Sequence, residues 1–119
     1  MDEVVFHIID EELWNNTKGG SEYVPQRYEI DGFIHLSGLH QVLRPANLLY
    51  QGRDDLLLLE ISVAALTAEL RYEPGSHGED EMFPHLYGAL NIDAVQAVHG
   101  FGCLPDGSFE LPRELDQKL

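Results

Sequence analysis

Cysteine is nearly absent: Cys103 is the only one in 119 residues. No internal disulfide can staple the chain, so its stability must come from a packed core. Basic residues are scarce as well, with seven Lys and Arg against 21 Asp and Glu and a formal net charge of −14. That balance repels phosphate backbones and anionic lipid, so neither nucleic acid nor a membrane is an expected partner. Any anionic ligand has to be met locally, by Arg27, Arg44, Arg53, Arg71 or Arg113. No apolar run approaches the roughly 20 residues needed to span a bilayer, and the N-terminus lacks the basic-then-apolar pattern of a signal peptide. A cytoplasmic setting is therefore expected. Repeats, low-complexity segments and linkers are missing too. At 13.4 kDa the chain can bury one core but not two, which predicts a single domain over residues 1–119.

What is present centres on Asp31-Gly32-Phe33-Ile34-His35-Leu36-Ser37. With a strand's period of two, Ile34 and Leu36 point to one face, while Phe33, His35 and Ser37 point to the other. Phe83-Pro84-His85-Leu86-Tyr87-Gly88 repeats the arrangement, setting Phe83, His85 and Tyr87 against Pro84 and Leu86. Two strands with the same aromatic and imidazole pattern can face one cleft.

The rest of the chain supplies the frame. Val4 to Ile9 reads as a strand feeding a helix capped by Asp10, with Leu13 and Trp14 as its core contacts and His7 as a core or edge histidine. Asn15 to Asp31 carries turn chemistry and reads as a loop, in which Tyr23, Arg27 and Tyr28 are the groups able to lie over a ligand. Ser37 is a candidate cap for a helix carrying Leu39, Val42, Leu43, Ala46, Leu49 and Tyr50, whose free N–H groups would face the ledge. Pro45 predicts a kink or two short helices there. Leu56 to Ile61 reads as a strand covered on both faces, Ser62 to Leu66 as a helical turn, and Glu69 to Glu73 as a strand ending at Pro74. Gly75 to Glu81 is an expected exposed loop. Asn91 to Asp93 is a turn, Ala94 to Val98 a strand, and the glycines after it suggest a hairpin to a strand at Phe109 to Leu111, followed by a frayed polar tail from Arg113. The layout is α+β, a mixed or split sheet with short helices packed on it.

Three chemistries compete for the ledge. A metal site could draw on His35, His40, His77, His85, Glu73 and Asp80, but none of their spacings matches a recognised ligand pair, so no metal is expected. A nucleophile at Cys103 or Ser37 lacks an adjacent base. A nucleotide pocket needs an aromatic surface, hydroxyl-binding groups and a cation, which Phe33, Tyr87, Tyr23, His35, Ser37 and Arg71 can supply. A non-catalytic small-molecule module, or a hydrolase using His and Glu as base and acid, remains open beside it.

Gly32 to Ser37 with Gln41 and Asn47, Leu58-Leu59-Glu60-Ile61, Leu70-Arg71-Tyr72-Glu73 and Phe83 to Gly88 together resemble the DUF952 family of small bacterial proteins. That family has no known function, and it resembles the ADP-ribosyltransferase fold, a split core of packed antiparallel sheets around an NAD-binding cleft. The resemblance implies that His35 contacts a ribose of NAD, with Ser37 on the same ledge, and that Tyr87 stacks on nicotinamide. It implies catalytic roles for Glu73 and His85 in a transferase or glycohydrolase. The order departs from that pattern: those transferases place the catalytic acid after the stacking tyrosine, whereas Glu73 precedes Tyr87, and Glu110, which is late enough, lies in an unremarkable strand.

Overall fold

A computed structural model of the chain describes residues 3–75 and 80–116. The β-branched run at the start forms strand β1, Val4–Asp10, and Asp10 closes it by capping helix α1, Glu11–Thr17. The Asp10 Oδ1 accepts from the Leu13 N–H at 3.1 Å, and Glu11 and Glu12 place negative charge on the positive end of the helix. Strand β2 is Glu22–Tyr23 and helix α2 is Tyr28–Asp31. That helix ends on Gly32 at φ 80°, a left-handed turn suited to a residue without Cβ, which delivers the chain into β3, Ile34–His35. A 3-10 turn at Leu39–Gln41 and helix α3, Leu43–Leu49, follow. Next come β4, Leu56–Ser62; β5, Glu69–Pro74; β6, Met82–Tyr87; β7, Leu90–Asn91; β8, Val95–Gly100; and helix α4, Arg113–Asp116.

The strands form three antiparallel sheets, β1-β4-β8, β2-β7 and β3-β6-β5. β4 is central to the first, pairing with β1 from Leu56↔Asp10 to Ser62↔Val4 and with β8 on its other side. Both of its faces are covered: Leu57, Leu59 and Ile61 join the core of Val5, Ile9, Trp14, Ile34, Leu86 and Leu90, while Leu56 and Leu58 join Phe6, Val42, Ala46, Phe101, Phe109 and Leu115. Each fully buried leucine of this strand contributes roughly 2 kcal/mol. Phe6 and Ser37 exchange backbone hydrogen bonds of 2.7 and 2.8 Å, tying the first sheet to the third. The result is an α+β arrangement of antiparallel sheets with a few short helices. No helix among the described residues is long and apolar enough to cross a membrane.

Several local expectations are corrected. The Asn15 to Asp31 stretch is not all loop; it holds the end of α1, then β2 and α2. Leu13 is 42% exposed, so Trp14 alone anchors α1. Ser37 caps nothing: its backbone pairs with Phe6, and the turn after it is closed by Gln41, whose Oε1 accepts from Gly38 N–H at 2.9 Å while its Nε2 donates to the Met82 carbonyl at 2.6 Å. Pro45 falls in the first turn of the second of two short helices, where its missing N–H costs nothing. Phe109 to Leu111 is not a strand; Phe109 fills the core and its N–H donates to Asn47 Oδ1 at 2.8 Å. Arg113–Asp116 of the expected frayed tail folds as α4, with Leu115 as its buried contact, and residues 117–119 lie outside the described residues. Residues 76–79 of the expected exposed loop, including His77, lie outside the described residues.

Candidate functional site

The third sheet turns Ile34, Leu86 and Leu70 inward, so alternation places His35, Glu69, Arg71, Glu73, Phe83, His85 and Tyr87 on the opposite face. His35 pairs with His85 across β3 and β6, and Arg71 pairs with His85 across β5 and β6. Phe33 stacks on the His85 ring with centroids 4.0 Å apart and 16° between planes, and it lies 4.8 Å from the His35 ring and 5.4 Å from the Tyr87 ring. The His35 and His85 rings meet edge to face at 5.6 Å. Gly88 ends β6 at φ 150°, and a Cβ there would stand 2.7 Å from the Ala68 Cβ, so this close approach of β6 to the chain before β5 requires glycine.

Glu73 is the acid that meets the rings of this face. Its Oε1 accepts from Tyr87 O–H at 2.6 Å and from His85 Nδ1–H at 2.8 Å. The Tyr87 hydroxyl first and the His85 imidazole second hold the Glu73 carboxyl below its usual range, and Glu73 in return pushes the Tyr87 phenol up. Arg71 shares this face with Glu73 but does not bond it. It forks onto Glu69 at 2.8 and 3.2 Å and lays its guanidinium 4.4 Å above the Tyr87 ring. The reason is reach: Glu69 brackets Arg71 on the same face and is free to fork, whereas Glu73 is already committed to two donors.

On the other side of the histidines, His35 Nε2–H donates to Asp31 at 2.9 Å, and Arg27 forks onto the same carboxylate at 3.2 Å through both Nε and Nη2. Arg27 and then His35 hold Asp31 below the usual carboxylate range. His7 of β1 supports the ledge from beneath. Its Nδ1–H donates to the His35 carbonyl at 2.8 Å, so its Nε2 is the acceptor for the Tyr23 hydroxyl at 3.2 Å. Burial lowers the His7 imidazole to about 4 and raises the Tyr23 phenol.

Two adjoining cavities open beside these groups. The first, about 90 Å³, is walled by His35, Ser37, Phe83 and His85. The second, about 270 Å³, is walled by Tyr23, Arg27, Phe33 and Arg53. His7, Ile8, His35 and Tyr50 line both, so they form one two-lobed cleft. A wider groove of about 440 Å³ between Glu3, His40, Tyr72 and Glu81 holds none of the expected site residues.

The structure thus brings Phe33, His35, Ser37, His85 and Tyr23 to the cleft. Glu73, Arg71 and Tyr87 do not wall it; they are joined to it through His85 and Phe33. Sequence reasoning did not place His7, Tyr50 or Asp31 at the cleft, and it named Arg53 only as one of five arginines able to meet an anion. Of the first three, His7 gave a signal, a polar ring inside an apolar strand. Among the described residues no group of His, Cys, Asp and Glu gathers as a metal would require, and Cys103 is a free, half-buried thiol.

Comparison with known proteins sets this geometry in context. A family model described as a protein of unknown function, DUF952, matches residues 8–98. The crystal structure of protein CC0527 from Caulobacter crescentus is similar, with a TM-score of 0.82, 27% identity, and coverage of 95% of this chain and 98% of that one. Its solution structure gives a TM-score of 0.77 at 28% identity, covering 96% of this chain and 95% of that one. No curated protein matches.

Proposed function

Because the chain belongs to the DUF952 family of proteins of unknown function, its activity has to be read from its own cleft, and we propose that it binds NAD or a related nucleotide there, on an ADP-ribosyltransferase-like arrangement of packed sheets. One observation carries this reading: His35 and His85 stand side by side at the first cavity with Phe83 in its wall, so a flat ring there meets an aromatic side chain and is edged by imidazole nitrogens. A cavity of about 90 Å³ takes a single ring rather than a dinucleotide, so the remainder of the ligand extends into the adjoining lobe. Ionised Glu73 stands one hydrogen bond behind His85. In a transferase or glycohydrolase it supplies the negative charge that steadies a sugar cation, acting through His85.

A second reading has its own observation. His85 Nδ1 is fixed by Glu73, which leaves Nε2 as the nitrogen without a partner among the described residues. A carboxylate orienting an imidazole in this way is the arrangement of a general base, and it serves a hydrolase as well.

Titration with NAD, ADP-ribose, AMP and nicotinamide, followed by melting temperature, tests the first reading, since a ligand that binds only the folded state raises it. No shift with any of the four at millimolar concentration leaves the hydrolase reading in front. Binding of NAD with no turnover makes the protein a non-catalytic binding module.

A further inference from the structure

We infer that the second lobe of the cleft is a diphosphate subsite held by Arg27 and Arg53. The inference extends the nucleotide reading by naming where the ligand's charge goes, although the subsite itself is testable without a nucleotide.

Only seven residues of this acidic chain are basic, yet two of them wall one cavity of about 270 Å³. They arrive from different elements, Arg27 at the start of α2 and Arg53 from the turn before β4. Both act on the same phenol: Arg53 and then Arg27 draw Tyr50 down, against the larger upward effect of its burial. Their aspartates engage them from one side. Arg27 spends Nε and Nη2 on Asp31, and Arg53 spends Nε and Nη2 on Asp55 with a further bond from Nη2 to Asp10 at 2.9 Å. Neither arrangement uses Nη1, so each guanidinium keeps an edge for an incoming oxygen.

With Asp10, Asp31 and Asp55 beside two arginines, the lobe does not attract anions by net charge. It selects by geometry. Both aspartate pairs are bidentate and Asp31 is largely buried, so the incoming oxygens are met first at the edges the aspartates leave open, through the charge-assisted hydrogen bonds a guanidinium makes with phosphate. Two of the aspartates have further donors of their own. Asp31 keeps the His35 imidazole at 2.9 Å, and Asp10 keeps the α1 N–H of Leu13. A single phosphate meets one fork, and a diphosphate reaches both. The lobe meets the ring cavity at His7, Ile8, His35 and Tyr50, which orders the ligand as ring, sugar, diphosphate along the cleft.

Calorimetric titration with inorganic pyrophosphate, ADP and adenosine, on the wild-type protein and on Arg27→Gln, Arg53→Gln and Arg113→Gln, tests this. Wild type should bind pyrophosphate, each of the first two substitutions should weaken it about tenfold, and Arg113→Gln should leave it unchanged. ADP should bind about tenfold more tightly than adenosine. Arg27→Lys and Arg53→Lys keep the charge but lose the fork, and should also weaken binding. Pyrophosphate affinity that is absent, or equal in all variants, overturns the subsite. Adenosine or NAD binding with no contribution from either arginine overturns the subsite and leaves the nucleotide reading standing. Arginine-dependent pyrophosphate binding without any nucleotide affinity supports the subsite and removes that reading.

Discussion

His85 and His99 are each buried and held by glutamates, and only His85 stands at the cleft. His85 gives Nδ1 to Glu73, has Phe33 stacked on its ring, and walls a cavity. His99 on β8 has both nitrogens filled, with Nε2 2.9 Å from Glu60 of β4 and Nδ1 2.8 Å from Glu114 of α4. Both contacts can be hydrogen bonds only when both nitrogens carry hydrogen or one carboxyl is protonated. Glu60 also accepts from Gln96 at 2.6 Å, and His99 walls none of the three cavities described. The pairs are alike as chemistry. What separates them is the unspent nitrogen and the space beside it, so an imidazole with both ends occupied reads as a tie between elements, and one with a free end beside a cavity reads as a working group.

The sharpest way to break this comparison is His99→Ala. It leaves Glu60 buried without its imidazole partner and detaches α4, and should cost about 3–4 kcal/mol in urea denaturation while leaving any nucleotide-induced melting shift intact. A lost ligand response in a variant that is still folded would erase the distinction. Acid titration comes next. His7 sits near 4 in the folded protein against 6.5 for an exposed imidazole, so between these values the unfolded chain binds the proton first. Its contribution is whole above about pH 6.5 and is lost as pH falls toward 4, by up to about 3 kcal/mol. His7→Asn should flatten that window. Glu73 and Glu114, both held below their usual range, contribute above the ordinary carboxylate range and lose that contribution at lower pH, so the two effects separate in denaturation midpoints taken at several pH values. Gly88→Ala should cost about 1–3 kcal/mol from its backbone angle and its contact with Ala68, and should blunt ligand binding by moving the neighbouring Tyr87. The smallest stability effects belong to Glu73→Gln and Glu114→Gln. Both variants should fold as wild type does, but only Glu73→Gln should change the His85 ring signals seen by NMR and abolish any NAD turnover with affinity retained.

Much of the first core and the ledge was legible because strand geometry assigns faces from the backbone alone, Val5 and Ile9 to one core and Phe6 to the other, with β4 read as an apolar run buried on both faces. The same rule gave His35 and His85 to one ledge, but the register that pairs them was not legible. Nor was the partner of Arg71, because alternation gives a face and not a choice between Glu69 and Glu73. The second lobe was legible only in part, through Tyr23 and Arg27 on a segment able to lie over a ligand and Arg53 among the possible anion contacts. Arg27, Asp31, Tyr50 and Arg53 come from turns and short helices, where no period relates one side chain to another. Helix α4 carries a single buried apolar residue, Leu115, too little for a pattern. Pro112, whose carbonyl accepts from the N–H groups of Leu115 and Asp116, was the available signal, since proline favours helix starts.

Strand β5 has one more consequence, for the behaviour of many copies together. It pairs only with β6 in its sheet and so presents an open edge, the kind of surface on which identical chains stack into aggregates. Glu69, Arg71 and Glu73 line one side of that edge and Pro74 ends it, so a second copy would have to bring like charges into register and meet a residue with no N–H to offer. The charges that frame the ledge also keep one molecule from becoming a template for the next.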